Sequence, residues 1–343
     1  RKLQRHKQPI MHDIHEERRT SNLSNEPEQT TAVTASSSSH STYAEPILTE
    51  DGQLYMVLAP LGTTELIHAI YEKNNEQMYA LLKEYGSQED AIQMMQVGGI
   101  DFAEFNLGPI GASVPEVNVV SLPFIFKSVE HMHRVMDGPV GDELSKAMEK
   151  KGIISLAWYD SGSRSFYDSR KPIKTPEDMK GMKFRVMNNE LYVGMVEALG
   201  GNATPMAYSE VYQSLKTGVV DGAENNWPSY DSSNHFEVAK YYSLTQHLIL
   251  PETLSVSAKA WAKLSPADQK AIRKAAQDSA MLERKLWGEK VAESRQKLID
   301  AGIHITEIKD KSAFQNAMAP VYAKAVKDNP TLAPLIEKIR NTN

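Results

Sequence analysis

The chain has 343 residues, a net charge of −6 from 38 basic and 44 acidic side chains, and no cysteine. This length suffices for two domains of ordinary size, while disulfide frameworks and thiolate sites are excluded. Charges of both signs are mixed along the sequence, which argues against a nucleic-acid partner, and no apolar run approaches the ~20 residues that span a bilayer.

The opening segment, residues 1–45, is predicted to be a disordered tail. It is charged up to residue 20 and rich in Ser and Thr over residues 21–43. Such a composition buries too little apolar surface to offset the entropy of ordering. Nothing in it resembles the apolar core of a signal peptide, so any export signal is expected to lie outside this sequence.

From residue 47 the sequence alternates short apolar runs with amphipathic stretches, a pattern typical of α/β proteins. Most of the apolar runs are bounded by Gly, Pro or Asn, as buried strands commonly are. We predict strands at residues 100–106, 153–159, 165–167, 183–186, 222–223, 241–244 and 303–307.

The amphipathic stretches predict helices at residues 88–97, 128–136, 138–151, 189–198, 207–216 and 312–328. The longest predicted helix covers residues 266–300, with Ser265 as its N-cap and Gly302 beyond its end. At ~1.5 Å per residue it would measure about 50 Å, so we expect it to brace two domains. Two shorter helices, broken near Trp287, are the alternative.

Three common enzyme signatures are absent from the sequence: a Gly-rich phosphate loop, a nucleophile elbow and a dinucleotide fingerprint. Metal sites are disfavoured as well. His12, His15 and Glu16 do not follow the helical metalloprotease order, and His131 and His133 would lie on different faces of a helix. We therefore predict no catalytic residue, no metal and no cofactor.

Two arginines are predicted at strand ends. Arg164 follows a turn-rich segment after an apolar strand, and Arg185 alternates with Phe184 and Val186 on a short strand. A guanidinium in such a position can bind a carboxylate through two parallel hydrogen bonds. A simple ion pair with a surface acid is the alternative for each arginine.

Asparagines follow the same strands. Asn188 comes three residues after Arg185, and Asn225 and Asn226 come at the end of the strand near residue 222. In open α/β sheets the carboxyl ends of strands face the ligand crevice, and amides suit sugar hydroxyls because they both donate and accept. N-cap and turn roles are the alternatives.

Several stretches together resemble one protein family. They are LPFIF at 122–126, DGPVG at 137–141, PEDMKGMKFRV at 176–186, ALGGNATP at 198–205 and YSEVYQSLKTGVVDGAEN at 208–225. With these residues the chain resembles the solute-binding component of TRAP (tripartite ATP-independent periplasmic) transporters, the receptors for dicarboxylates, sialic acid and sugar acids. The resemblance extends over roughly residues 86–327.

The resemblance implies an α/β, bilobal periplasmic-binding-protein fold with two lobes joined by hinge strands and a long bracing helix. Lobe I is expected to contain residues 46–163 and about 249–285, and lobe II residues 164–248 and about 286–330, followed by a C-terminal tail at 331–343. The family also implies a periplasmic monomer that binds a small organic or sugar acid and delivers it to the transporter's membrane subunits.

Three candidate ligand contacts in lobe II follow from the resemblance. Arg185 matches the family's arginine that clamps the substrate carboxylate. Arg164 matches a second polar contact in the cleft, and Asn225 matches the asparagine that accompanies the clamp. Arg185 is therefore the first candidate for the binding residue.

Three further candidates complete the predicted site. Asn188 fits a contact on the loop after the clamp, while Glu89 and Asn106 of lobe I resemble positions that face the ligand in sugar-acid receptors. The sequence around residues 187–190 and 225–230 most resembles that of receptors for hexuronates such as glucuronate and galacturonate. A hexuronate is therefore the predicted ligand.

One segment departs from the family pattern. A strand, a helix and a second strand normally precede residue 86, whereas here residues 54–58 suit a strand and residues 64–83 form a nearly continuous helix-like run. Either lobe I is rearranged there, or the segment is foreign to the fold.

Two other functions remain open from the sequence. A sugar-acid-processing enzyme could use Glu89 or Glu224 as a base, although no spacing identifies an acid–base pair. A ligand sensor for a signalling receptor could be built on the same fold.

Overall fold

The structure, a computed structural model, describes residues 46–48, 54–56 and 87–343. Pro46–Leu48 (β1) and Leu54–Met56 (β2) form a two-stranded antiparallel sheet. The predicted tail and the predicted helix-like run at residues 64–83 lie outside the described residues. Among the helices within the described ranges, none is both long enough and apolar enough to cross a membrane.

Seven strands of residues 87–343 form one mixed sheet. The strands are Phe102–Asn106 (β3), Ile153–Asp168 (β4), Lys183–Val186 (β5), Asn202–Pro205 (β6), Gly222–Asn225 (β7), Tyr241–Ser257 (β8) and His304–Thr306 (β9). Their order is β3-β8-β4-β7-β5-β6, and β9 pairs with β8. β8 is antiparallel to β3 and β4, β4 is also antiparallel to β7, and the pairs β5–β6, β5–β7 and β8–β9 are parallel.

The two longest strands, β4 and β8, pair with each other along most of their length. The sequence predicts two strands and a turn where β4 lies, and only the beginning of β8, so the continuous strands correct that prediction. The ladder shifts register between Asp160 and Ser163, where Gly162 has a φ of 66°. The Gly162 N–H donates to Oδ1 of Asp160 at 2.6 Å. The turn-like sequence is thus accommodated as a bulge within one strand.

The predicted helices are observed within two residues of their bounds, with two exceptions, and five further helices that the sequence does not predict are present at 107–110, 227–232, 235–238, 258–261 and 332–341. The predicted helix at 207–216 is a 3₁₀ turn, Tyr208–Glu210, followed by a short α-helix, and the predicted helix at 312–328 is divided at Met318. The helices are Gln88–Val97 (α1), Leu107–Ile110 (α2), Val129–Met136 (α3), Pro139–Glu149 (α4), Glu190–Ala198 (α5), Val211–Thr217 (α6), Trp227–Ser232 (α7), His235–Val238 (α8), Ala258–Trp261 (α9), Pro266–Asp300 (α10), Ser312–Ala317 (α11), Ala319–Asp328 (α12) and Leu332–Asn341 (α13). Two further 3₁₀ turns cover Pro115–Ser121 and Pro176–Met179.

Four apolar cores flank the sheet. Cores A and B define what we call the first half of the molecule, and cores C and D define the second half. In the first half, core A contains Met95, Leu107, Met136 and Leu144, and core B contains Leu156, Leu254, Val256 and Ala280. In the second half, core C contains Phe184, Tyr192, Met195 and Leu250, and core D contains Tyr167, Tyr230, Tyr242 and Leu298. Successive residues of β4 point to opposite faces, as strand geometry requires. Residues of β4 that precede the bulge pack in cores A and B, and residues that follow it pack in cores C and D.

Helix α10 runs unbroken for 35 residues, as one of the two sequence interpretations predicts. Its N-cap is Ser265, whose hydroxyl accepts a hydrogen bond from the Asp268 N–H at 3.2 Å. Ala276 and Ala280 near its start pack in core B, and Leu298 near its end packs in core D. The helix therefore contacts both halves of the sheet and braces them.

The C-terminal segment is helical and packed, unlike the tail predicted for residues 331–343. Leu335, Ile336 and Ile339 of α13 are buried in core A. The three positions lie on one face of the helix at the spacing expected for burial. The two-lobe boundaries drawn from the sequence stay a prediction.

Candidate ligand-binding site

Arg185 is buried near the carboxyl end of β5, with 3% of its surface exposed. Its strand neighbours Phe184 and Val186 pack in core C, as the alternating pattern predicts. The guanidinium donates from Nε and Nη2 to the carbonyl oxygen of Met206 at 3.1 and 2.9 Å. Its Cζ lies 5.6 Å from the centre of the Tyr208 ring. These contacts fix the orientation of the side chain without neutralising its charge.

No carboxylate within residues 87–343 forms an ion pair with Arg185. Burial lowers the pKa of its guanidinium, while the more distant charge of Glu224 opposes that effect. Arginine nevertheless keeps its proton in proteins. A buried cation with no countercharge of its own is costly, and an anionic ligand would remove that cost.

Arg164, unlike Arg185, is paired with a carboxylate, that of Glu224 on the adjacent strand β7. Its Nε donates to Oε2 of Glu224 at 2.7 Å, and its Nη2 donates to Oε1 at 2.9 Å and to the Glu224 carbonyl at 3.0 Å. The two side chains are 3% and 0% exposed. An ion pair with a surface acid is the alternative that the sequence left open for Arg164. The structure has the ion pair, but its acid is buried rather than at the surface. The bonds to Glu224 engage Nε and Nη2 of the Arg164 guanidinium.

Glu224 is held ionised by its partners. Burial would raise the pKa of its carboxyl, but the charge of Arg164 and hydrogen bonding from His247 and Arg164 lower that pKa to about 2. His247 Nε2 lies 3.4 Å from Glu224 Oε2, and its Nδ1 lies 2.8 Å from the Thr245 hydroxyl. Burial lowers the pKa of His247 despite the neighbouring carboxylate, so its ring is neutral near pH 7. The Arg164–Glu224 pair is consequently neutral, and Arg185 supplies the net positive charge.

Asn225 ends β7 beside both arginines. It is buried, pairs with Ser165 of β4, and its side-chain oxygen accepts a hydrogen bond from the Asn226 N–H at 2.9 Å. Because β7 lies between β4 and β5 in the sheet, Arg164, Asn225 and Arg185 come from three adjacent strands. The structure therefore brings these three sequence-predicted residues together.

Of the two roles that the sequence left open for Asn188, the structure assigns the helix cap to its neighbour Asn189, and the ligand contact stays a prediction. Asn188 is exposed in the bend between β5 and α5. Asn189 is the N-cap of α5, accepting a hydrogen bond from the Leu191 N–H at 2.8 Å. The capping role thus belongs to Asn189, and Asn188 is free of it.

Glu89 and Asn106 lie in the first half of the molecule. Glu89 is half-buried in the first turn of α1, and Asn106 is buried at the end of β3. Asn106 accepts a hydrogen bond from the Gly108 N–H at 2.9 Å and donates to Oε1 of Glu252 at 3.1 Å. The opposite side of Gly108, its carbonyl, accepts a hydrogen bond from Asn189 at 2.8 Å. Asn106 is thereby linked to the loop that follows Arg185.

The residues that sequence reasoning missed are the supports of the two arginines. The sequence indicates Tyr208 only as part of a family motif and Glu224 only as a possible base, and it gives His247 no role. Their roles depend on strand pairing that brings distant segments together. A lone histidine in an apolar strand was the one available signal for His247.

No group of three or more His, Cys, Asp or Glu side chains in the described part of the chain is arranged to hold a metal ion. His131 Nε2 lies 3.1 Å from the carbonyl of Ile339, whereas His133 Nε2 lies 3.2 Å from Oδ2 of Asp160. The two rings therefore have different neighbours, in agreement with the prediction that they occupy different helix faces. His12, His15 and Glu16 lie outside the described residues.

Comparison with known proteins identifies the family. The model for "Bacterial extracellular solute-binding protein, family 7" matches residues 68–329. A solute-binding protein of Chromohalobacter salexigens is 56% identical over 256 residues, which are 75% of this chain and 76% of that protein.

Solved structures of TRAP periplasmic solute-binding proteins have the same fold. The Roseobacter denitrificans protein with bound β-D-glucuronate is 56% identical, with a TM-score of 0.74 over 75% of this chain and 85% of that one. A Sulfitobacter protein with bound β-D-galacturonate is 54% identical, with a TM-score of 0.74 over 82% of this chain and 94% of that one. The periplasmic-binding-protein α/β fold predicted from the sequence is thus confirmed. The chain belongs to family 7 of the bacterial extracellular solute-binding proteins, the solute receptors of TRAP transporters.

Proposed function

We propose that the protein captures a hexuronate, D-glucuronate or D-galacturonate, in the periplasm and delivers it unchanged to the membrane subunits of a TRAP transporter. The observation that carries this proposal is Arg185, a buried guanidinium without a carboxylate partner among residues 87–343. The hexuronates bound to the similar Roseobacter and Sulfitobacter proteins support the choice of ligand. The receptor acts as a monomer in this proposal.

The charges around Arg185 favour a ligand with one carboxylate. Arg164 is neutralised by Glu224 at 2.7 Å, so the pair contributes no net charge. One uncompensated guanidinium matches one carboxylate, whereas a dicarboxylate would leave its second charge buried without a partner. A sugar acid satisfies this balance because its remaining polar groups are uncharged hydroxyls.

The hydroxyls of the sugar would be bound by amide and carboxylate side chains. The amides of Asn225, Asn188 and Asn106 offer both donors and acceptors, and the carboxylate of Glu89 in the first half of the molecule offers acceptors. Nη1 of Arg164 adds a charged donor. Polar groups from both halves would then surround a polyhydroxylated ring.

Binding and lobe closure are coupled in this mechanism. The carboxylate binds first to Arg185 in the second half, and the first half then closes over the hydroxyls. A ligand shifts the open–closed equilibrium only by its difference in affinity for the two forms. Contacts from Asn106 and Glu89 would supply this difference, because they are made only in the closed form.

Catalysis is not part of the proposal. Glu224, one of the two bases considered from the sequence, has a pKa of about 2, and both of its carboxylate oxygens accept hydrogen bonds from Arg164. An ionised carboxylate with such a low pKa is a weak base. The ligand is therefore expected to leave the site chemically unchanged.

Calorimetric titration with glucuronate, galacturonate and succinate tests the proposal. We expect saturable heat with a hexuronate and none with succinate, and the hexuronate recovered afterwards should give an unchanged NMR spectrum. Tight binding of succinate with no hexuronate heat would overturn the assignment. A new product in the spectrum would indicate an enzyme.

A further inference from the structure

Asn189 joins the two halves of the molecule through its side-chain amide. It is 8% exposed, and its Nδ2 donates to the carbonyl of Gly108 at 2.8 Å and to Oδ1 of Asn118 at 2.8 Å. Asn118 in turn donates to the carbonyl of Gly111 at 3.0 Å. Both protons of the Asn189 amide are thus directed at one short segment of the first half.

The partners of this amide belong to different cores. Asn189 caps α5, whose Tyr192 and Met195 are buried in core C. Gly108 belongs to α2, whose Leu107 and Ile110 are buried in core A. The hydrogen bonds therefore cross from the second half to the first.

A second cross-link lies one helical turn further along α5. The Tyr192 hydroxyl donates to the hydroxyl of Ser121, which belongs to the 3₁₀ turn Pro115–Ser121, at 3.0 Å. Tyr192 is fully buried, so its hydroxyl has no access to bulk water. Two buried polar groups on α5 are thus satisfied by the first half, as buried polar groups require.

The surface opposite α5 is shaped for close approach. A Cβ atom added to Gly108 would lie 2.7 Å from the Tyr192 hydroxyl, and one added to Gly111 would lie 3.0 Å from Nδ2 of Asn189. Both glycines have ordinary backbone angles, because neither is among the glycines with positive φ. The absence of a side chain at Gly108 therefore serves the contact with α5 rather than a turn, whereas Gly111 first of all makes room for Asn118, whose Oδ1 would lie 2.0 Å from the added Cβ.

We propose that Asn189 is a positioning residue that latches the closed form, together with Tyr192, without touching the ligand. This inference rests on the proposed function, in which the two halves close around a solute. Bonds made only in the closed form raise the population of that form, and apparent affinity rises in the same proportion. The latch acts on the lifetime of the complex, because the bonds must break before the ligand leaves.

Two substitutions separate the latch from the helix cap. Asn189→Asp and Asn189→Ser keep an oxygen that can accept from the Leu191 N–H, because Asp and Ser are good N-caps. Both remove the amide nitrogen that donates to Gly108 and Asn118: Asp has no donor, and Ser has one shorter hydroxyl in place of two N–H groups. Tyr192→Phe removes only the bond to Ser121. The matched control is Asn316→Ser, at an exposed position on α11.

Affinity and dissociation rate for D-glucuronate are the first readouts. Two lost hydrogen bonds should weaken binding about tenfold, mainly through faster dissociation. Tyr192→Phe should show a smaller change of the same kind, and Asn316→Ser none. Unchanged affinity in both Asn189 variants, with melting temperatures near that of the parent, would overturn the proposal.

A distance measurement tests the latch independently of the ligand's identity. Because the chain has no cysteine, spin labels can be attached at Lys146→Cys in α4 and Lys216→Cys in α6, both exposed and in different halves. We expect Asn189→Asp to shift the distance distribution of the unliganded protein towards longer values, and to raise the glucuronate concentration needed for the short distance. Identical distributions in parent and variant, with and without ligand, would contradict the latch.

The same measurement distinguishes failure of the latch from failure of the proposed function. If no hexuronate shortens the distance in the parent protein, the proposed function is wrong. A longer distance in unliganded Asn189→Asp would still support the latch in that case.

Discussion

The two buried arginines differ in what neutralises them. Arg164 is paired with Glu224 through two hydrogen bonds to its carboxylate, whereas Arg185 donates to the neutral carbonyl of Met206. A buried ion pair with well-formed hydrogen bonds is self-sufficient, but a lone buried cation attracts a counterion. Arg164 is therefore suited to hold the site together, and Arg185 is suited to bind the anion.

Replacing Arg185 should weaken hexuronate binding strongly and leave the fold intact. Arg185→Ala removes charge-assisted bonds that contribute roughly 1.5–3 kcal/mol each, so hexuronate affinity should fall by about a hundredfold or more. Arg185→Lys keeps the charge but loses the planar fork, and an intermediate affinity is expected. Calorimetry measures both, and thermal unfolding without ligand should be nearly unchanged because no ion pair is broken.

Arg170→Ala is the matched control for this prediction. Arg170 lies 3.5 Å from Asp221 and is 57% exposed, so its loss should not affect the site. If Arg185→Ala bound hexuronate as tightly as this control, the carboxylate clamp would be wrong.

The sequence predicts the candidate residues better than their partners. The alternation of Phe184, Arg185 and Val186 indicates the buried face of β5 from local pattern alone. The pairing of Arg164 with Glu224 depends on contact between residues 60 positions apart, which no local pattern contains. Whether Asn188 or Asn189 caps α5 depends on the residue at which the helix begins. A sequence pattern does not locate a helix start to within one residue, so only the backbone structure settles the cap.

At the scale of elements, the contact between β4 and α10 is built on a buried carboxyl group. Oε2 of Glu283 on α10 accepts a hydrogen bond from the Asp160 N–H at the β4 bulge, at 2.9 Å. Burial, reinforced by the charges of Asp160 and Glu252 and opposed by the bond from the Asp160 N–H, raises the pKa of Glu283 to about 8. The carboxyl is therefore mostly protonated at neutral pH, and it joins the bracing helix to the point where the strands change halves.

Ionisation of Glu283 should make stability fall with rising pH. Its folded-state pKa of about 8 lies above the ordinary value of 4.5, so its stabilising contribution is complete below pH 4.5 and is lost as pH rises to about 8. Glu283→Gln cannot ionise and should avoid this loss. At pH 9 the variant should exceed the parent by roughly 3–5 kcal/mol in free energy of unfolding, and at pH 4 the two should be similar.

Urea unfolding at pH 4, 7 and 9 measures this difference. Glu289→Gln is the control, because Glu289 lies on the same helix and is 61% exposed. Parallel pH profiles for the parent and Glu283→Gln would show that the carboxyl is not protonated in the folded protein.

The predicted elements fail mainly where tertiary pairing overrides local signals. Residues 160–163 contain Asp, Ser, Gly and Ser, which favour a turn, yet β4 continues through them as a bulge. Pro251 argues against a central strand, but it lies opposite Asp160 at the register shift, where the ladder is already irregular. In contrast, the bounds predicted for α10 agree with the observed ones, residues 266–300, because its cap and proline signals are local.

At the scale of the whole molecule, the two halves share their longest elements. β4 and β8 contribute residues to cores A and B at one end and to cores C and D at the other. Helix α12 does the same, since Val321 packs in core C and Ala325 in core A. Neither half can lose these elements without exposing apolar surface of the other.

The described part should therefore unfold as one cooperative unit, and the ligand should stabilise both halves together. A ligand that binds only the folded form adds about 2.7 kcal/mol to the free energy of unfolding when present at a hundred times its Kd.

Hydrogen exchange followed by mass spectrometry would report on residues 129–149 of the first half and residues 190–217 of the second. Both sets of amides should slow by a similar factor on addition of glucuronate, since their slowest exchange requires the same global opening. In Arg185→Ala neither set should respond, which ties the protection to binding at the clamp. Protection confined to residues 190–217 in the parent protein would mean that the halves unfold separately, and that the ligand engages the second half alone.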